Sequence, residues 1–481
     1  MTDFQNDDEH TPIPRSLEEA TRRPTRKTRE INIYATSPRT TAQAFLEVHT
    51  DPLIRFADRW YAWRSGVYTQ VHDEEIDTSI SMFLDPAGKF SIKRTLHFEQ
   101  MDRHVNEVRK AMERLCHPRG LADPGSTRGF WLRNAGPDPK ELLNCRNGIL
   151  HLPTRTLMAP TPDFFCEGRT EIDFDADAGP PVAFLGFLAS LELLPEEITL
   201  LQQMAGYLLQ YGNPMQKVFL IVGPTRAGKG VFERVLTKLI GERHVGGLRA
   251  PLDDRFDLEH MIGKSLGLVS DLRLSPKSDV TSFVQKLLTI SGHDLIVIPR
   301  KNKSAHNAPL PLNILMTSNE IPCLTDRGSA IAGRLIPIVL TKSHLEQEDL
   351  TLEARLAAEL PAILNWALDG YDRVMQLGRF VLPASSMHVR RQIEGQASPV
   401  SSFIRDQCEL AIGAVTPKEV LRQAFDDFCS FHDFPVLQDS RFGAALKAAH
   451  PTVGTRRVRD GKGKRVWCYM NIRLRPVADD E

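Results

Sequence analysis

No two cysteines are spaced as CxxC, no stretch reaches about 18 consecutive apolar residues, and neither sign of charge is in excess. Each absence closes a class of function. The seven cysteines (116, 145, 166, 323, 408, 429 and 468) are odd in number and scattered, which argues against a disulfide framework and a zinc site. They read as free thiols of a reducing cytosol. The start, Met1-Thr-Asp-Phe-Gln-Asn-Asp-Asp, has no apolar targeting segment. The expectation is a cytoplasmic protein with no membrane partner. Lys+Arg number 60 and Asp+Glu 61, so any nucleic-acid surface must be a local patch in a balanced whole. There are no internal repeats, and no low-complexity tract beyond the N-terminal tail.

What is present is ordinary globular material. At about 150 residues per domain, 481 residues point to about three domains. Residues 1–40 are polar and proline-containing, acidic then basic, and read as a disordered tail. The tract 41–120 is amphipathic. Its run Arg59-Trp60-Tyr61-Ala62-Trp63-Arg64 suits either core packing or base stacking. Asn147-Gly148 marks a turn. The alternating Asp173, Asp175 and Asp177 read as a solvated loop or as metal ligands. From 197 to 345 helical and strand patterns alternate, the mark of an α/β fold. After 399 come three helical patterns and a basic, hairpin-like stretch from Thr455 to Tyr469.

The strongest signal is Val218-Phe-Leu-Ile-Val222 followed by Gly223, Pro224, Thr225, Arg226, Ala227, Gly228, Lys229, Gly230 and Val231. An apolar strand runs into a glycine-bounded loop, and the loop opens a helix that ends at Gly241. This is the setting the phosphate-binding pattern GxxxxGK requires. Glycines let backbone N–H groups converge on phosphate oxygens, the helix N-terminus adds positive potential, and Lys229 reaches the outer phosphates. The hydroxyl that usually follows the lysine and holds Mg²⁺ is absent, because Gly230 stands there.

Three further runs supply partners. Ser265 to Asp271 ends in one carboxylate, where an acid would hold Mg²⁺ or polarise the attacking water. Leu312 to Asn319 ends in an amide placed to orient that water. Arg334 is the choice for a finger reaching a neighbouring subunit's γ-phosphate, with Arg327 as rival. Between these runs a strand ends in Arg300, Lys301 and Lys303, a basic tip that suits a DNA backbone.

In this order the pieces resemble the helicase part of phage and plasmid primase-helicases, a superfamily 3 group of AAA+ ATPases. They are Asn144-x-x-Asn147-Gly148, Phe174-Asp-Ala-Asp177, the loop at 223–230, Val269-Ser-Asp271-x-Arg273, Thr317-Ser-Asn319 and the stretch Leu360 to Gly370. The resemblance covers roughly 50–480. It implies an α/β fold, with an AAA+-type P-loop ATPase core, an α-rich N-terminal segment and a C-terminal winged-helix domain. The implied layout is a tail (1–40), a helicase-associated domain (41–195), an ATPase domain (196–385) and a winged-helix-like DNA-binding domain (399–481). It also implies ATP and Mg²⁺ as cofactors, a homo-hexameric ring, and translocation on single-stranded or forked DNA, typically 3′ to 5′. Lys229, Asp271, Asn319 and Arg334 carry over as phosphate lysine, metal acid, sensor and finger. Arg456, Arg457 and Lys464 of the basic wing join Arg300, Lys301 and Lys303 as DNA contacts. The helicase-associated segment fills most of the chain before the ATPase. The expectation is therefore a replication helicase of a phage, prophage or plasmid with no primase domain of its own, and a separate primase as a candidate partner.

Two other readings stay open. A nucleotide kinase also shows Gly-Lys-Gly, although its loop usually lies near the chain start. An ATP-regulated DNA-binding or loading protein would tolerate Gly230.

Overall fold

Short apolar runs between helices line up into one parallel sheet in the computed structural model. The model describes residues 31–33, 37–84, 92–94, 102–118, 128–133, 136–250, 252, 258–274, 279–301, 303–324, 330–346, 349–397, 399–432, 434, 436–459 and 463–475. The strand order is Val245–Gly247, Leu266–Val269, Asn313–Ser318, Val218–Val222, Leu335–Val339, and every pairing is parallel. Val218–Val222 and Asn313–Ser318 are buried at every position. That is why Val218–Val222 reads as an unbroken apolar run and Asn313–Ser318 carries Ile314, Leu315 and Met316 in succession rather than in alternation: helices cover both faces. Phe219 and Ile221 point to one face, where they join Leu200, Met204, Leu236, Ile363 and Leu364. Val218, Leu220 and Val222 point to the other, with Phe283, Leu287 and Ile331. This is the expected α/β class.

The chain divides into two compact units, Met1–Trp60 with Val71–His117, and Tyr61–Gln70 with Pro118–Glu481. In the first unit the helices Pro38–Val48, Asp73–Leu84 and Asp102–Leu115 bury Phe45, Phe83, Val108 and Met112. Arg109 is 2.8 Å from Asp77 and 3.4 Å from Asp73. The first of these helices begins inside the stretch read as a tail. Ile31–Ile33, in that same stretch, pairs in parallel with Ile92–Arg94. Residues 1–30 and 34–36 of the expected tail lie outside the described residues.

The N-terminal segment is not α-rich throughout, which corrects the expectation from sequence. Leu142–Cys145, Gly148–His151 and Thr156–Met158 form an antiparallel meander, and Gly129–Trp131 pairs with Phe164–Cys166. These strands are three or four residues long, and Leu142–Cys145 and Phe164–Cys166 are buried throughout. No alternation survives in so short a fully buried strand. Asn147 is confirmed as a turn residue between two of them.

After the sheet the helices Leu360–Leu377 and Ala384–Ala397 lead to a separate aromatic core. There Phe403, Phe425, Phe428 and Phe442 pack among the helices Pro399–Gln407, Lys418–His432 and Asp439–Ala449. A hairpin, Gly454–Arg459 with Arg465–Met470, pairs with Val415–Pro417. The seven cysteines are free thiols. Among the described residues no helix is long and apolar enough to cross a membrane.

Candidate functional site

The strand Val218–Val222 ends at the loop 223–228, and the helix Lys229–Ile240 starts directly after it. The loop is wedged between neighbours. Gly223 donates its N–H to the Ser318 carbonyl at 3.1 Å, and a Cβ there would lie 2.6 Å from the Leu340 carbonyl oxygen. Gly228 has φ +88°, a left-handed conformation that glycine adopts without strain. The outer side is braced as well. The Ser343 hydroxyl donates to the Thr225 carbonyl at 2.7 Å, and the His344 N–H donates to the Arg226 carbonyl at 3.0 Å. The first N–H groups of the following helix have no intrahelical acceptor and face the loop, a ready site for an anion.

Lys229 is folded onto this loop. Its Nζ donates to the carbonyls of Gly223 at 2.5 Å and Pro224 at 2.7 Å, and to Asn319 Oδ1 at 2.9 Å. Asn319 in turn donates through Nδ2 to Asp271 Oδ1 at 3.1 Å. Asp271 Oδ2 is paired with Arg273 at 2.7 Å. Lysine, amide and acid thus come from three elements into one hydrogen-bonded chain. Partial burial pushes the Lys229 pKa down, and the negative charges of Asp271 and Glu233 oppose that shift.

Glu233 belongs to the same cluster, and the motifs do not single it out. It lies four residues after Lys229, one turn along the same helix face. Its Oε1 accepts from the Thr317 hydroxyl at 2.8 Å and its Oε2 from the Ser270 hydroxyl at 3.1 Å. Thr317 Oγ1 also accepts the Asp271 N–H at 3.2 Å. The i, i+4 spacing was the only sequence signal for it.

These groups border a cleft of about 1120 Å³. Thr225, Arg226, Lys229, Asp271, Asn319 and Glu233 line it, together with the apolar Phe187 and Val231. A cleft of that size lined by both charged and apolar side chains suits a nucleotide. Pro224 and Ala227 shape the loop, and Ala227 is buried. On the side-chain face of Gly230 an added Cβ would meet Arg234 Nη1 at 3.2 Å, a tight contact with the end of a flexible side chain. The donors fit magnesium, which takes one or two carboxylates and completes its shell with phosphate oxygens and water. Asp271 and Glu233 are the carboxylates beside Lys229; Asp349, Glu353 and Glu359 also line the cleft but are held by Arg355, Arg234 and the Ala183 and Phe184 N–H groups.

Arg334 lies elsewhere. Its Nη1 donates to the Leu288 carbonyl at 2.7 Å and to Ser291 Oγ at 2.8 Å, capping the C-terminal turn of the helix Val280–Gly292 in its own chain. Arg327 is outside the described residues. Arg300 ends the strand Leu295–Arg300, whose antiparallel partner is Lys303–Pro309. Lys301, between them, is exposed, and its N–H donates to Glu259 at 3.1 Å. The side chain of Lys303 is outside the described residues. Arg456 and Arg457 are exposed on the C-terminal hairpin, with Lys464 just before its return strand. Arg457 stacks over the exposed Trp467 at 5.0 Å, and Lys418 approaches the same indole at 5.3 Å.

Several of the remaining candidates are engaged within the fold. Trp60 and Tyr61 are buried, which favours core packing over base stacking. Asp173 pairs with Arg146. Among the described residues no group of three His, Cys, Asp or Glu side chains is placed to hold a metal. The motif pieces around them interlock instead. Asn147 exchanges two 2.9 Å hydrogen bonds with the backbone of Phe174, and Asn365 donates to the Asp175 carbonyl at 2.8 Å.

Comparison with known proteins bears on the fold. Residues 42–191 match the family described as D5 N terminal like. Residues 221–334 match a family of unknown function, DUF5906, and residues 398–476 match the RFX DNA-binding domain. Among solved structures, the apo structure of the NrS-1 C-terminal region is similar with a TM-score of 0.54 at 12% identity, covering 91% of this chain and 99% of that one. Its A-form apo structure gives 0.52 at 12% identity, covering 90% and 100%. These matches bear out the resemblance read from the motifs and show a shared fold.

Proposed function

We propose that this chain, similar to the superfamily 3 helicase region of phage and plasmid primase-helicases, is an ATP-driven motor that moves on DNA during replication of a phage, prophage or plasmid. One observation carries the reading: Lys229, Asn319 and Asp271 form a continuous hydrogen-bonded chain lining the cleft, beside the phosphate loop. In this reading the core is of AAA+ type and protomers assemble into a ring, expected to be a homo-hexamer. The match of 398–476 to a DNA-binding domain supports a winged-helix module, with Arg456, Arg457 and Lys464 on phosphates. Arg300, Lys301 and Lys303 are the proposed contacts to single-stranded or forked DNA in the ring.

The chemistry follows from the side chains. An incoming triphosphate offers Lys229 better acceptors than the Gly223 and Pro224 carbonyls, so the lysine turns from the loop to the β- and γ-phosphates. That releases Asn319 Oδ1 to hold the attacking water in line. Asp271 polarises the water or carries the cation. Mg²⁺, when bound, neutralises charge on the phosphates. Arg334 of an adjoining protomer is the proposed finger.

The test is ATP hydrolysis by the wild type and Lys229→Ala, with and without single-stranded DNA. Stimulation by DNA that disappears in the variant is expected. DNA binding without turnover would replace the motor with a loading protein, the reading that Gly230 keeps open. Phosphoryl transfer to a nucleoside monophosphate would make the chain a kinase.

A further inference from the structure

The phosphate loop lacks the hydroxyl that usually follows its lysine, and the strand end at 270–271 supplies one carboxylate instead of two. The structure places a second carboxylate beside them from an unexpected direction. A helical Cα–Cβ bond tilts toward the helix N-terminus, so Glu233 reaches back along its helix toward the loop. It lies beyond the first turn, where the helix dipole would by itself favour an acid. It is half-buried and lines the cleft, and two hydroxyls from different strand ends, Ser270 and Thr317, donate to its two oxygens. Thr317 at the same time accepts the backbone N–H of Asp271, which ties the backbone of one acid to the residue that holds the other. A solvated surface glutamate needs no such clamp.

The geometry points to Glu233 as the second carboxylate of the nucleotide's divalent cation, acting with Asp271 and taking over the part of the hydroxyl missing at position 230. The inference rests on the nucleotide reading above. Ser270 and Thr317 are positioning residues: they hold the glutamate carboxylate by its two oxygens. Magnesium in nucleotide sites commonly binds through one or two carboxylates and its own waters, so Asp271 and Glu233 make up a sufficient protein share without a hydroxyl.

Position 230 provides the matching test. An added Cβ there meets only the end of the Arg234 side chain, at 3.2 Å, so serine fits without moving backbone. The experiment measures the affinity of the full chain for a non-hydrolysable ATP analogue with Mg²⁺ and with chelator, and Mn²⁺ occupancy by electron paramagnetic resonance. Wild type, Glu233→Gln and the double variant Gly230→Ser with Glu233→Gln are compared, with circular dichroism reporting that each is folded. In Glu233→Gln the ratio of metal-dependent to metal-free affinity is expected to fall by about 10-fold or more, since losing even an outer partner of a bound metal costs about 10–100-fold. The serine is expected to restore part of it. An unchanged ratio in Glu233→Gln overturns the inference. So does a loss that serine leaves uncorrected, because the glutamate would then act through packing alone. Failure of the wild type to bind the analogue under either condition overturns the nucleotide reading itself, and the inference with it.

Discussion

His244 is sealed between Arg128 and the Cys166–Gly168 turn, with Nε2 at 3.7 Å from Cys166 Sγ. Burial pushes its pKa down to about 3, and the nearby Arg128 cation adds to the shift. An unfolded histidine titrates near 6.5, so the unfolded chain takes up a proton that the native chain refuses. The contribution of this residue is therefore fully present above pH 6.5 and is lost as pH falls from 6.5 toward 3. The loss approaches about 1.4 kcal/mol per pH unit. Urea unfolding at pH 7 and pH 5.5 should show a smaller drop in His244→Gln than in the wild type; equal drops would mean that His244 is protonated in the native state. Lys229 shows the opposite economy. Its burial is tolerated because two loop carbonyls, an amide and two nearby acids surround the ammonium. The strand-end residues Asp271 and Asn319 were legible from the sequence because apolar runs stop just before them. Glu233 was not, because a lone acid on an amphipathic helix looks like any solvated one.

The helix Pro195–Leu209 crosses the helix Leu360–Leu377 at a pair of glycines. A Cβ on Gly370 would lie 2.0 Å from the Gln202 carbonyl oxygen, and one on Gly206 would lie 2.2 Å from the Ala367 carbonyl oxygen. Gln202 Nε2 then reaches the Trp366 carbonyl at 2.9 Å. Only glycine permits this approach, and the crossing lies against the sheet face that carries Phe219 and Ile221. Gly370→Ala should cost about 1–3 kcal/mol, the range for overpacking a tight contact. It should appear as a lower thermal midpoint, and a midpoint equal to wild type would show that the two helices separate freely. Gly370 stood in a motif quoted from the sequence, whereas Gly206 sits in an apolar helix with nothing to mark it. The same contrast runs through the elements. The sheet was legible because Val218–Val222 and Asn313–Ser318 are long enough to read as buried strands. The meander at 142–158 was not, because its three- and four-residue strands pair across turns and show no period of their own.

Arg334 is decided only at the scale of the assembly. Within its own chain it caps the helix Val280–Gly292 through Leu288 and Ser291, 46 and 43 positions away in sequence, and it does not line the cleft. Two roles are consistent with that position. A purely structural cap would serve its own protomer, whereas the proposed finger would serve the next protomer around a head-to-tail ring. The first role predicts that Arg334→Ala harms only the protomer that carries it. The second predicts complementation. Lys229→Ala protomers keep an intact arginine, and Arg334→Ala protomers keep an intact phosphate loop. In a random equal mixture about a quarter of the heterologous interfaces join a sound loop to a sound arginine. A finger is worth about 10³-fold or more in rate, so each pure variant should be almost inactive and the mixture should regain clear DNA-stimulated hydrolysis. Binding of the analogue by Arg334→Ala alone should match the wild type, since that cleft is lined without it. A mixture no more active than its components would return Arg334 to the helix it caps, and the finger would have to be sought in another side chain.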